Sequence, residues 1–151
     1  MRVAMTTSAD GSEVVTASAE ETEALAAHLA RRLHTGDLLL LVGELGAGKT
    51  TFVRGLARGM GVRGDVMSPT FQLVRLYTGE PPLAHVDLYR IERAAELEEL
   101  GLEDLLEDGV VVVEWGDRLS APDALRVTIE TLDADHRRLR LEGGAAAWSW
   151  S

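Results

Sequence analysis

The chain has 151 residues, 46% of them hydrophobic, which is enough for one buried core and too little for two ordinary domains. It contains no cysteine, which excludes a disulfide framework and thiolate metal ligation. Its 25 acidic and 15 basic side chains leave a net charge of -10, which repels a phosphate backbone, so any nucleic-acid role is expected to be indirect despite the local Arg137-Arg138-Leu139-Arg140 patch.

The segment through Ser12 carries neither a basic leader nor an apolar stretch of signal-peptide length, and a cytoplasmic location without membrane attachment is expected. Ser18-Ala19-Glu20-Glu21 has capping-box spacing, and Leu25, Leu29 and Leu33 place an apolar stripe on a helix that Thr35-Gly36 should end. The apolar run 38–42 predicts a buried strand. It leads into Gly43-Glu44-Leu45-Gly46-Ala47-Gly48-Lys49-Thr50, which fits G-x-x-x-x-G-K-[ST] at every position. Phe52, Val53, Leu56 and Met60 then give a helical apolar face ending near Gly59-Met60-Gly61. Strand, loop and helix in this order let successive backbone N–H groups and the positive helix end converge on phosphate.

Residues 71–77 alternate, 83–87 form another short strand, and the five turn-rich residues between them are too few for a parallel crossover. An antiparallel hairpin inside an otherwise parallel sheet follows. Leu97, Leu100, Leu102, Leu105 and Leu106, interrupted by Gly101, suggest two short helices. The run 110–113 reads as a central strand buried on both faces, and 124–132 with 137–142 as a second hairpin. Residues 143–151 read as a flexible tail in which Trp148 and Trp150 are either disordered or docked. The fold class is therefore α/β: a single P-loop NTPase domain, three-layer αβα, with a mixed sheet containing antiparallel hairpins and a core of about 13–142.

Lys49 is the only lysine; arginine supplies the other positive side chains. A compact ammonium follows phosphate oxygens in a narrow loop where a planar guanidinium would not. Gly46 and Gly48 permit close backbone approach, and the Thr50 hydroxyl is placed to ligate magnesium. A second metal ligand is expected at the end of a neighbouring apolar strand. Glu114 after 110–113 is favoured, while Asp87 after 83–86 would hold a metal-bound water, orient the attacking water or meet the lysine; the two roles are interchangeable at this level. Thr70 stands where switch segments sense a terminal phosphate, or in an ordinary turn. His85 reads as a packed or hydrogen-bonded strand residue, and Trp115 as either a nucleotide-stacking or a core side chain.

Taken together, 43–50, Ser68-Pro69-Thr70-Phe71, His85-Val86-Asp87-Leu88-Tyr89-Arg90 and Glu114-Trp115 resemble the bacterial TsaE (YjeE) family of small ATPases, over roughly residues 18–140. The resemblance implies ATP as nucleotide and Mg2+ as cofactor. Its nucleotide loop falls on Glu44, Leu45, Gly46, Ala47, Gly48, Lys49, Thr50 and Thr51, its magnesium ligands on Thr50 and Glu114, its functional acid on Asp87 and its tryptophan on Trp115. An adenine contact near Arg137 would lie in the least similar region. It further implies assistance to N6-threonylcarbamoylation of adenosine 37 in tRNAs that read codons beginning with adenosine, with the TsaD and TsaB transferase proteins as partners.

Two other readings have testable signatures. A small-molecule kinase needs an acceptor pocket and an arginine-rich lid, whereas Arg138 and Arg140 fall on one face of a predicted strand. A nucleotide-dependent assembly module would keep its function when hydrolysis is blocked. A GTPase is disfavoured because the guanine-reading N-K-x-D pattern needs an asparagine and a second lysine, and the chain has neither.

Overall fold

The computed structural model describes residues 6–7, 12–44, 48–63, 74–88, 101–115, 121, 124–144, 148 and 150. In chain order the elements are β1 (Thr6–Thr7), β2 (Glu13–Thr16), α1 (Ala19–Ala30), β3 (Leu38–Gly43), α2 (Lys49–Gly59), β4 (Val74–Tyr77), β5 (Leu83–Asp87), α3 (Leu102–Asp108), β6 (Val110–Glu114), β7 (Leu125–Thr131) and β8 (Arg137–Gly143). They build one eight-stranded sheet in the order β1-β2-β8-β7-β3-β6-β5-β4. The four central strands, β7, β3, β6 and β5, run parallel, with antiparallel strands on either side.

Side-chain alternation divides the core into two layers. Leu39 and Leu41 of β3 and Val110 and Val112 of β6 pack on the face covered by α1 and α2. Leu40, Val111 and Val113 pack on the other face with Leu102, Leu105 and Leu106 of α3. Every side chain of β6 is buried, as expected for a strand that is covered on both sides and flanked by β3 and β5.

Ser18 caps α1 by accepting from the Glu21 N–H at 3.1 Å, and the Glu21 carboxylate accepts from the Ala17 N–H at 2.6 Å. The helix closes at Ala30, earlier than Thr35-Gly36. The Arg32 and Leu33 N–H groups donate to Leu29 and Ala30 in a tighter turn that still buries Leu33. α2 packs on α1 with backbones nearly touching, because a Cβ at Gly55 would sit 2.3 Å from the Glu23 carbonyl oxygen and one at Gly59 2.5 Å from that of Ala27. Glu23 also pairs with Arg54 and Arg58 at 3.5 and 3.7 Å.

Both predicted hairpins are present as β4–β5 and β7–β8. Residues 71–73 of the first predicted strand and 97–100 of the predicted helices lie outside the described residues. β1 and β2 were not anticipated; β2 adds to the sheet by pairing with β8, far away in sequence. Trp150 takes the docked alternative. Its indole N–H donates to the Ser12 and Leu139 carbonyls at 3.0 and 3.2 Å, and its ring meets Phe52 edge-on at 6.3 Å. Trp148 lies under the Arg32 guanidinium, 5.4 Å from ring centre to charge.

Candidate functional site

Parallel strands direct their carboxyl ends to one edge of a sheet, where chain crossovers open a crevice. Here β3, β6 and β5 deliver Gly43, Glu114 and Asp87 to that edge; Glu114 stands opposite Leu41 on one side and Asp87 on the other. Gly48, at φ 96°, turns the chain into α2 as its N-cap and offers no side-chain cap, so the first N–H groups of the helix have no side-chain acceptor there. Leu45, Gly46 and Ala47 of the loop and Thr70 of the expected switch lie outside the described residues.

Lys49 begins α2 and is only 5% exposed. Burying an ammonium is costly without partners, and the described residues supply them. Its Nζ donates to the Gly43 carbonyl at 2.7 Å, closing the loop across its own mouth, and lies 3.3 Å from the centre of the Trp115 ring. Such a desolvated cation–aromatic contact is worth about 2 kcal/mol. Trp115 holds this place with a φ of 61°, a left-handed conformation that costs a non-glycine residue about 1–2 kcal/mol. The ring also packs among the side chains of the α3 face. Trp115 is therefore tied to the lysine as well as to the core.

Glu114 is 4% exposed and His85 wholly buried. The His85 Nε2 and Glu114 Oε2 are 2.5 Å apart. His85 thus realises the hydrogen-bonded strand alternative, with a partner in the site itself. Register explains the reach: His85 faces Val112, so Glu114 is its diagonal neighbour on the same sheet face. Sequence reading missed this pairing; the two-residue spacing from His85 to Asp87 was the available signal that both share a face.

Thr50 and Thr51, both half-buried, occupy the first turn of α2. Beside Thr51 and Gly48 lies a cavity of about 140 Å³ closed by Ser18, Thr22, Asp135 and Arg137. The β7–β8 turn forms its outer wall. Asp133 accepts from the His136 and Asp135 N–H groups and from the His136 ring, which together lower its carboxyl pKa to about 2. Arg137 is held against that turn by donating to the Asp133 and His136 carbonyls at 2.7 and 2.9 Å. Arg138 and Arg140 point elsewhere, pairing with Glu130 at 3.0 Å and Glu13 at 2.8 Å. The hydrogen bond to Glu13 raises the Arg140 pKa above its ordinary value.

The chain matches the protein family described as Threonylcarbamoyl adenosine biosynthesis protein TsaE over residues 16–139. The tRNA threonylcarbamoyladenosine biosynthesis protein TsaE of Streptomyces coelicolor is 47% identical over 122 residues, covering 78% of this chain and 76% of the relative. The protein of the same name from Bacillus subtilis is 40% identical over 129 residues, covering 82% of this chain and 80% of the relative. Among solved structures, that of Bacillus subtilis YdiB superposes with a TM-score of 0.71 at 34% identity, covering 85% of this chain and 82% of that one. Fold, motif order and sequence agree: the chain belongs to the TsaE family of threonylcarbamoyladenosine biosynthesis proteins, P-loop NTPases that bind ATP.

Proposed function

We propose that the chain hydrolyses ATP in a magnesium-dependent reaction coupled to a TsaD–TsaB-type transferase complex, and that it acts on tRNA threonylcarbamoylation only through that complex. The observation that carries this reading is the burial of Lys49 between the Gly43 carbonyl and the Trp115 ring, beside an uncapped helix start and next to the strand that ends in Glu114. Neither contact is needed to fold a helix, and both can be exchanged for phosphate oxygens.

In this reading the loop amides and the start of α2 hold the phosphate chain, and Lys49 leaves the Gly43 carbonyl and the Trp115 ring to meet the outer phosphates. Arg137, Thr51 and Ser18 line a cavity in which the base would sit. The Thr50 hydroxyl and Glu114 carboxylate are hard oxygen donors of the kind magnesium takes, and with waters and phosphate oxygens they would hold it. Bound magnesium would neutralise charge on the phosphates. Asp87, facing Glu114 across the strand pair, orients the attacking water. Most of the rate comes from positioning and from fixed donors aimed at the transferred group.

The kinase reading is disfavoured because Arg138 and Arg140 are charge-matched to acids on neighbouring strands and form no lid. Among the described residues, no helix is long and apolar enough to cross a membrane. The test is magnesium-dependent ATP hydrolysis with and without the purified transferase pair. Stimulation by the pair is expected, with Glu114→Gln keeping nucleotide bound while hydrolysis falls about 10²-fold. Equal turnover in both conditions would remove the coupling, and full tRNA modification by Glu114→Gln would favour an assembly role.

A further inference from the structure

We infer that His85 is a positioning residue for Glu114: its imidazole fixes one carboxylate oxygen and thereby leaves the other to face the metal and its waters. This rests on the reading of Glu114 as a metal ligand. Two observations support it. His85 Nε2 is 2.5 Å from Glu114 Oε2, and among the described residues His85 Nδ1 is buried with no hydrogen-bond partner.

The contact joins one ring nitrogen to one carboxylate oxygen and leaves Glu114 Oε1 outside the pair.

The arrangement is poor for stability, because a buried polar pair with one ring nitrogen unsatisfied is often matched or bettered by apolar side chains of similar size. It is well suited to holding a carboxylate. A Glu side chain has three rotatable torsions, and a donor rooted in the neighbouring strand removes that freedom. β5 delivers both groups, His85 to clamp Glu114 and Asp87, two residues on, to stand directly opposite it. Partners of this kind, once removed, typically cost about 10–100-fold in metal affinity.

The test uses Mn2+ as a spectroscopically visible substitute for magnesium, added to the full chain with ADP and followed by electron paramagnetic resonance. His85→Leu should weaken Mn2+ binding about 10–100-fold while leaving metal-free ADP affinity unchanged, and His85→Gln, which restores an N–H donor, should recover most of the loss. A purely structural histidine would lower the melting temperature without moving Mn2+ affinity, and that result would overturn the inference. Failure of the wild-type chain to bind Mn2+ with ADP would remove the metal reading itself. Should neither variant fold, the wild-type chain decides: the His85 ¹⁵N resonances should shift when magnesium is added to the ADP-bound chain, and unmoved resonances would overturn the inference.

Discussion

Two halves of one sheet face are built from opposite materials. Across the strands, Leu125, Leu39 and Val112 stand in a row that reaches His85, and the next row runs from Val127 and Leu41 to Glu114 and Asp87. The β7–β3 half is apolar and the carboxyl end of the β6–β5 half is polar, though both lie in one sheet. Among the described residues the buried polar or charged side chains are Thr16, Thr22, Lys49, His85 and Glu114; the two threonines satisfy each other at 2.7 Å, and the other three gather near the end of β6. Apolar burial stabilises by about 25 cal/mol per Å², whereas buried charge rarely stabilises at all. Stability and chemistry thus occupy adjoining parts of the same surface.

Substitutions should separate the two halves. Leu39→Ala, in the apolar half, should lower stability by about 2–5 kcal/mol in denaturant unfolding while leaving turnover per folded molecule unchanged. Lys49→Ala should do the reverse, reducing ATP hydrolysis about 10²–10³-fold, or about 2.7–4 kcal/mol of barrier, with little change in unfolding midpoint. A large loss of stability in Lys49→Ala would blur the comparison. Gly55→Ala, far from the polar rim, should cost about 1–3 kcal/mol because its methyl group meets the backbone of α1, and hydrolysis below the melting temperature should persist.

The smallest effect belongs to the β7–β8 turn. Asp133 has its folded-state pKa lowered to about 2 from 3.8, so its contribution is complete above the ordinary value and is lost as pH falls from about 4 towards 2. Wild type and Asp133→Ala should therefore differ slightly in unfolding midpoint at neutral pH and converge through that window. Parallel curves would show that the turn does not depend on the carboxylate.

Legibility in the sequence followed range. The phosphate loop, both hairpins and the central strand are local patterns of a few residues, and each predicted element that falls among the described residues is present. The cap of α1 was readable for the same reason, though its last turn was not, because Leu33 is buried without being helical. β2 is four residues long and is stabilised by β8, so its β-branched run Val14-Val15-Thr16 is too short a signal to stand alone. The His85–Glu114 pair depends on strand register, which short-range periodicity does not specify. Gly59 reads in sequence only as a helix end, although its four-residue spacing from Gly55, opposite Ala26 and Ala30, is a readable sign of close helix packing. Trp150 needed the partners that only the folded chain brings together, Phe52 and the Ser12 and Leu139 carbonyls.

Calorimetric titration of the folded chain with ATP and magnesium, beside Lys49→Ala, tests most directly whether the polar half of the face is a nucleoside triphosphate site. One-site binding heat is expected in the wild-type chain and its loss in the variant. Absence of heat from wild type at millimolar ligand, or the same isotherm from both proteins, would contradict it.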